Sequence, residues 1–189
     1  MKRTLLIVIF GLIASGKTTL AKALGQRWGW PVIHSDLVRK TLAGISPTRR
    51  VETSYGQGIY AAEFSGHTYQ EMFRQAQERL QTGGSVILEG SFMRSVDRQQ
   101  ARRLAAASKA EVFFILCTCP VEETLRRLAR RAADAQAISD GRQEILVEQQ
   151  KVFEPITDLE ETPVLILDTT RPLEEIAGET EDFLTLATE

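Results

Sequence analysis

The stretch FGLIASGKTT, residues 10–19, decides the fold that this sequence predicts. Gly11, Gly16, Lys17 and Thr18 fill the fixed positions of the pattern G-x-x-x-x-G-K-[ST], a loop whose backbone N–H groups surround a phosphate group. In such a loop the lysine reaches the β- and γ-phosphates of a nucleotide, and the threonine hydroxyl binds Mg²⁺. The loop therefore predicts a Mg²⁺–nucleotide site, and its expected nucleotide-binding residues are Gly11, Leu12, Ile13, Ala14, Ser15, Gly16, Lys17, Thr18 and Thr19.

The residues on either side of the loop support this prediction. Residues 4–10 form a continuous apolar, β-rich run, which is typical of a strand buried on both faces. From Lys17 onward the apolar residues Leu20, Leu24 and Trp28 recur at helical spacing. A buried strand, a glycine loop and a helix in this order are the context that the phosphate-binding pattern requires.

Composition excludes several other classes of protein. The 189 residues suit one domain spanning 1–189, and no apolar run reaches the length of a membrane span. The net charge is −2 without a long basic block, which argues against a protein that grips long nucleic acid. Cys117 and Cys119 are expected to be reduced, as in a cytoplasmic protein. The chain contains no Asn, so the guanine-reading Asn-Lys-x-Asp element is excluded.

Apolar strand-like runs alternate with helical patterns along the whole chain. This alternation predicts a three-layer α/β fold, in which a parallel sheet has helices on both faces. The predicted strands cover residues 4–10, 31–34, 85–89, 111–117 and 163–168. The predicted helices cover residues 17–28, 36–43, 66–82, 95–108, 120–134, 140–153 and 172–187.

Asp36 and Arg39 follow the second predicted strand, where the active sites of open α/β sheets lie. A carboxylate at Asp36 could accept or orient the proton of an attacking hydroxyl. Arg39 shares a helix face with Asp36 and could bind an anionic group of the acceptor. The alternative is that Asp36 only caps its helix.

Glu89 ends the third predicted strand. Next to a phosphate loop, an acid at this position normally supports Mg²⁺, so Thr18 and Glu89 are the predicted metal residues. A solvated carboxylate at a strand end is the alternative. Arg98, in the following helix, is a further candidate for binding the acceptor, although it could also be an ordinary surface charge.

Arginines line one side of the helix predicted after residue 120. The spacings 126/130 and 127/131 place two pairs of guanidinium groups on one face, where they could neutralise the phosphoryl group during its transfer. A solvated basic face is the alternative. The small and polar residues 133–141 that follow would form a mobile cover over the site, so a lid is predicted at about 127–142.

With these motifs in view, the chain resembles the P-loop kinases of the zeta-toxin and polynucleotide-kinase-like group. Relatives of that group include gluconate kinase, chloramphenicol phosphotransferase and the ATP-binding domain fused to aminoglycoside-phosphotransferase-like proteins. The resemblance implies a P-loop NTPase fold with a five-stranded parallel sheet, and ATP with Mg²⁺ as the phosphoryl donor. It also implies that Asp36 lies on the acceptor hydroxyl and that Arg127 and Arg131 lie on the lid side. The expected catalytic residues are Lys17, Asp36, Arg127 and Arg131, and Arg127 is also expected to contact the nucleotide. The group commonly has Asp at the position of Glu89.

Three functions are compatible with these features. The first is a kinase that transfers the γ-phosphoryl group of Mg·ATP to a hydroxyl of a small molecule, which Arg39 suggests is anionic. The second is a polynucleotide 5′-hydroxyl kinase, which the lack of a basic track disfavours. The third is an ATPase or nucleotide-dependent switch that has no acceptor.

Overall fold

A computed structural model describes residues 3–49, 51, 56–132 and 143–186, with the backbone alone at 131 and 132. Five parallel strands form a single sheet in the order β2-β3-β1-β4-β5. This confirms the predicted five-stranded parallel sheet. The strands are β1 (Leu5–Phe10), β2 (Val32–His34), β3 (Val86–Glu89), β4 (Glu111–Thr118) and β5 (Val164–Asp168).

The central strand β1 is covered on both faces. Its residues from Leu6 to Phe10 are fully buried, and Ile7 pairs with Ile87 of β3 and Phe113 of β4. Such a position requires apolar side chains on every residue, which explains why the sequence of this strand does not alternate. The carboxyl ends of β1, β2 and β3 therefore meet at one edge of the sheet.

Helices cover the two faces of the sheet and form a three-layer structure, as predicted. On one face α3 and α4 pack through buried residues such as Met72 and Ala101, and on the other α1 and α7 pack through Leu20 and Ile176. The α-helices are α1 (Lys17–Trp28), α2 (Ser35–Leu42), α3 (Ala62–Gln81), α4 (Ser95–Ala107), α5 (Val121–Ala132), α6 (Gln143–Val152) and α7 (Leu173–Leu186). None of the helices within the described ranges combines the length and the apolar composition that crossing a bilayer requires.

A third, smaller apolar cluster attaches α5 and α6 to the loop after β1. Ile13 and Ala14 of the loop pack against Leu128 of α5 and against Ile145 and Leu146 of α6. These two helices therefore contact the predicted phosphate loop through their apolar faces.

The segment before α3 differs from the prediction. Helix α3 begins at Ala62 rather than at residue 66, and a short 3₁₀ helix, Gly58–Tyr60, precedes it. Gly66 lies inside α3, where a side chain in its place would meet no atom within 4 Å. The predicted helix begins at this glycine, but the long amphipathic face of the observed helix outweighs the cost of one interior glycine.

Candidate active site

The loop between β1 and α1 needs glycine at two of its fixed positions. Gly11 and Gly16 have φ angles of 138° and 89°, which lie in the region that favours glycine. A Cβ atom on Gly11 would lie 2.4 Å from the carbonyl oxygen of Cys117, and one on Gly16 would lie 2.9 Å from the side chain of Thr169. Both glycines are therefore required by the close approach of neighbouring chain segments as well as by their φ angles.

Lys17 and Thr18 begin helix α1 directly after this loop. The ammonium group of Lys17 donates a hydrogen bond of 2.6 Å to the carbonyl oxygen of Leu12, so its side chain folds back over the loop. Both residues line a cavity of about 320 Å³. The lysine and the threonine of the predicted phosphate loop therefore both face this cavity.

Glu89 at the end of β3 lies beside Thr18, so the two residues predicted to support a metal ion are neighbours. One oxygen of the Glu89 carboxylate lies 3.4 Å from the hydroxyl of Thr18, and the other lies 2.9 Å from Nδ1 of His34. Burial raises the pKa of Glu89, but the His34 hydrogen bond and the positive charge of Lys17 lower it more, so the net shift is downward. Glu89 is therefore a buried, ionised carboxylate that faces the site.

The cavity extends from the phosphate loop to helices α2 and α3. The residues that line it include Asp36, Arg39, Tyr69 and Ser91. The structure therefore brings the predicted base, the predicted anion-binding arginine and the phosphate loop to one cavity. Burial raises the pKa of Tyr69 to about 12, so this phenol stays protonated and acts as a hydrogen-bonding group of the wall.

The structure removes Arg98 from the predicted acceptor site. The Arg98 side chain is fully buried, is not part of the cavity wall, and forms an ion pair with Asp158. It also donates to the carbonyl oxygens of Phe92 and Pro155 at 2.9 and 2.8 Å. The guanidinium group is thus used to join α4 to the segment after α6, and the prediction that Arg98 binds the acceptor was wrong.

Arg127 contacts the phosphate loop from the side of α5. Its Nη1 donates to the carbonyl oxygen of Ala14 at 3.3 Å, and its Nη2 donates to that of Thr169 at 2.7 Å. It lines a second cavity next to Gly16 and Thr19 that includes Leu173 and Ile176. Arg127 therefore lies between the loop and this second cavity. The side chain of Arg131 and residues 133–142 of the predicted lid lie outside the described part of the chain.

Several residues of the site were not predicted. No role in the site was predicted for His34, although its place at the end of β2, next to Glu89 at the end of β3, was a usable signal. Gln149 of α6 accepts a hydrogen bond of 2.8 Å from the backbone N–H of Ile13, and Thr169 donates one of 2.8 Å to the carbonyl oxygen of Ser15. These two contacts span 136 and 154 residues, so no local pattern could reveal them.

The fold and the loop together define a class of protein. A five-stranded parallel sheet with a glycine-rich phosphate loop after its central strand is a P-loop NTPase-like fold. The sequence profile of a family described as an AAA domain matches residues 6–156 of this chain. The chain therefore belongs to that AAA-domain family.

Curated relatives are similar to about two thirds of this chain. Uncharacterized proteins of Mycobacterium tuberculosis and Mycobacterium bovis are 32% identical over 127 residues, which are 67% of this chain. The same alignment covers 26% of those relatives, so it spans only about a quarter of their length.

Several solved structures with the same fold are named as kinases. The APS kinase of Mycobacterium tuberculosis, in complex with AMPPNP and APS, has a TM-score of 0.68 at 18% identity, covering 98% of this chain and 99% of that one. A gluconokinase of Sinorhizobium meliloti has a TM-score of 0.62 at 20% identity, and the match covers 98% of this chain and 95% of the gluconokinase. A suspected kinase of Chloroflexus aurantiacus reaches 0.74 at 21% identity, covering 98% of both chains. At these identities the likeness shows the fold alone.

Proposed function

We propose that this protein is a kinase that transfers the γ-phosphoryl group of ATP to a hydroxyl group of a small molecule. The observation that carries the proposal is that one cavity is lined by Lys17 and Thr18 of the phosphate loop and by Asp36 of α2. A phosphoryl donor and a hydroxyl acceptor can thus lie side by side there, which is the arrangement that direct transfer requires.

Each residue has a separate part in the proposed reaction. Backbone N–H groups of the phosphate loop and the Lys17 ammonium group bind the β- and γ-phosphates and stabilise the charge that develops on the transferred group. The Asp36 carboxylate accepts or orients the proton of the attacking hydroxyl. Arg127 holds the loop at Ala14 and borders the second cavity, where the base of the nucleotide would lie. Arg131 remains a proposed lid residue.

The side chains near Thr18 fit a magnesium ion. Mg²⁺ prefers oxygen ligands and commonly keeps several waters, with one or two protein oxygens and phosphate oxygens completing its shell. The Thr18 hydroxyl and the ionised Glu89 carboxylate would supply these protein oxygens, directly or through water. Held by these two residues, a magnesium ion would supply positive charge that offsets the negative charge of the phosphate groups.

The structural neighbours add support for small acceptors. The neighbour from Mycobacterium tuberculosis was solved with AMPPNP and APS, and another is a gluconokinase. We extend only the general pattern to this chain, namely a nucleotide donor and a small acceptor. A cytoplasmic location, where Mg·ATP is abundant, is consistent with the proposal.

The decisive experiment measures ADP release from Mg·ATP with a panel of hydroxyl compounds, including an oligonucleotide with a free 5′-hydroxyl. We expect acceptor-dependent ADP release with small compounds, and the Asp36→Asn variant should bind Mg·ATP but lose this release. Phosphorylation of the oligonucleotide end would instead support the polynucleotide kinase. ADP release that no acceptor accelerates would support the switch or ATPase, and no heat of Mg·ATP binding in calorimetry would overturn all three.

A further inference from the structure

The turn between β3 and α4, residues 90–93, forms part of the cavity wall. Its residue Ser91 lines the cavity together with Asp36 and Tyr69. The backbone N–H of Gly11 donates a hydrogen bond of 3.4 Å to the carbonyl oxygen of Ser91, so the turn also contacts the first glycine of the phosphate loop. A side chain on this turn is therefore placed next to both halves of the proposed site.

The backbone of this turn is unfavourable for its sequence. Phe92 has a φ angle of 41°, in a region that favours glycine and that large side chains rarely adopt. The residue is fully buried, and its ring centre lies 4.9 Å from that of Tyr69 and 6.3 Å from that of Phe73. Such a conformation persists only where surrounding contacts hold it, and it occurs most often at functional sites.

Two buried polar side chains hold the turn in this conformation. The hydroxyl of Tyr69 accepts a hydrogen bond of 2.9 Å from the backbone N–H of Phe92. Nη1 of Arg98 donates to the carbonyl oxygens of Phe92 and Met93, at 2.9 and 3.1 Å. Both backbone groups of Phe92 are therefore fixed by side chains of α3 and α4.

The hydroxyl of Tyr69 also lies 3.2 Å from Oγ of Ser91. The N–H of Phe92 can only donate, so the Tyr69 oxygen accepts there and keeps its own proton for another group. Among the described residues, Oγ of Ser91 is the acceptor that this proton can reach. Tyr69 therefore donates to Ser91, because a buried hydroxyl proton without an acceptor is unfavourable.

The direction of this hydrogen bond leaves the proton of Ser91 for a ligand. Ser91 is half-buried, and in the part of the chain that the structure describes, Tyr69 is the hydrogen-bond partner of its hydroxyl. Since Oγ accepts from Tyr69, its O–H group can donate into the cavity. The ionised Asp36 carboxylate offers acceptors only. The cavity wall thus combines an acceptor at Asp36 with a donor at Ser91.

We propose that the Ser91 hydroxyl donates a hydrogen bond to a non-reacting oxygen of the phosphoryl acceptor, and that Tyr69 positions Ser91 for this contact. The reacting oxygen directs its proton to Asp36 and its lone pair to phosphorus, so a further donor there would weaken its attack. A second oxygen of the acceptor is therefore the partner that suits Ser91. This inference rests on the proposed kinase function and narrows the acceptor to compounds with a second oxygen, such as sugars, polyols and hydroxy acids.

The first test uses the sugars, polyols and hydroxy acids that stimulate ADP release from Mg·ATP. Each is compared with its monodeoxy derivatives and with simple alcohols. The variants are Ser91→Ala, Tyr69→Phe and the double variant, and circular dichroism checks that each is folded. Phe73→Leu is the control, because Phe73 packs against the rings of Tyr69 and Phe92 but carries no hydrogen-bonding group.

We expect at least one monodeoxy derivative to have a kcat/KM about 3- to 10-fold lower than the complete acceptor in wild-type protein, the effect of one neutral hydrogen bond. Ser91→Ala should lose this preference and use both compounds alike. Phe73→Leu should keep the preference although its melting temperature falls. A preference unchanged in Ser91→Ala, or simple alcohols that are the best acceptors, would overturn the inference.

The role of Tyr69 is tested through its coupling to Ser91. Because Tyr69 acts through Ser91, the double variant should lose no more kcat/KM than the more affected single variant. Losses that multiply would overturn the positioning role. Amide exchange of Phe92, followed by NMR, should be faster in Tyr69→Phe than in wild-type protein and unchanged in Ser91→Ala. Equal exchange in wild-type protein and Tyr69→Phe would contradict this role as well.

Nucleotide binding separates this inference from the kinase proposal. Calorimetry with Mg·AMPPNP should give the same affinity for wild-type protein and Ser91→Ala. A weaker affinity in Ser91→Ala would show that Ser91 contacts the nucleotide, which overturns the inference but not the kinase proposal. ADP release that no compound accelerates would overturn the kinase proposal, and the inference with it. Should Tyr69→Phe fail to fold, the comparison of acceptors in Ser91→Ala still decides the contact with the second oxygen.

Discussion

Nδ1 of His34 lies 2.9 Å from one carboxylate oxygen of Glu89, at the carboxyl ends of the neighbouring strands β2 and β3. The second carboxylate oxygen lies 3.4 Å from the hydroxyl of Thr18. Glu89 is thus held between a ring nitrogen and a hydroxyl, and its orientation is fixed before any ligand binds. This arrangement makes the stability of the protein dependent on the charge of Glu89.

We predict that Glu89 contributes to the acid sensitivity of the fold. Its pKa is lower in the folded protein than in the unfolded chain, because the His34 hydrogen bond and the Lys17 charge outweigh the effect of burial. Its contribution to stability is therefore complete above the unfolded pKa of about 4.3 and is lost as the pH falls through the folded value. The free energy of unfolding, measured in urea between pH 6 and pH 3, should fall less for Glu89→Gln than for wild-type protein as the pH is lowered. An equal fall in the free energy of unfolding of both proteins would exclude a contribution of Glu89 to acid sensitivity.

We predict that Lys17→Ala lowers the rate of phosphoryl transfer by about 100- to 1000-fold, the usual effect of removing one donor that stabilises the transition state. The fold should remain intact because the helix begins at this residue and alanine is a good helix former. Steady-state ADP release with a saturating acceptor measures the effect. Lys22→Ala, on the same helix, is the control and should keep wild-type rates.

We predict different defects for Asp36→Asn and Glu89→Gln. Asp36→Asn should lower transfer by about 100- to 10,000-fold, as loss of a general base does, while the affinity for Mg·ATP is unchanged. Glu89→Gln should instead raise the Mg²⁺ concentration needed for half-maximal activity, because it weakens metal support. Titration of Mg²⁺ at fixed ATP separates the two. If Asp36→Asn kept full activity and Glu89→Gln lost it at every Mg²⁺ concentration, the base would be assigned to the wrong strand.

We predict that Asp158→Ala destabilises the protein by about 3–5 kcal/mol, because it leaves the buried Arg98 without its partner. This corresponds to a drop in melting temperature of roughly 6–20 °C for a chain of this size. Replacing both partners, with Arg98→Met and Asp158→Leu, should cost less than Asp158→Ala alone. A double variant that is less stable than Asp158→Ala would refute the reasoning, since no unpaired buried charge remains in it.

The sequence predicts the fold well because its signals are local. The strand 4–10 and the helix 17–28 match Leu5–Phe10 and Lys17–Trp28 closely, since a two-face-buried strand and a glycine loop leave clear patterns over a few residues. The start of α3 was misplaced because a single glycine was weighted more than the packing of the helix on the sheet. Tertiary contacts therefore decided this boundary.

The site could be predicted only in part, because some of its contacts join residues that are far apart in the sequence. The positions of Lys17, Asp36 and Glu89 follow from strand ends, and the structure places all three at one cavity. The role of Arg98 depends on Asp158, which lies 60 residues later, and no spacing rule connects the two. Sequence patterns thus identify residues at strand ends, whereas whether an arginine is neutralised within the chain depends on the packed structure.

The hydrogen bond from Thr169 to the carbonyl oxygen of Ser15 joins the end of the last strand to a loop near the start of the chain. During synthesis on the ribosome, the residues of this loop emerge well before Thr169, which supports the loop. A nascent chain that ends before residue 169 would therefore carry the complete motif without the contact that shapes it. Capture of a nucleotide would then report that the carboxyl-terminal part has been made and has docked.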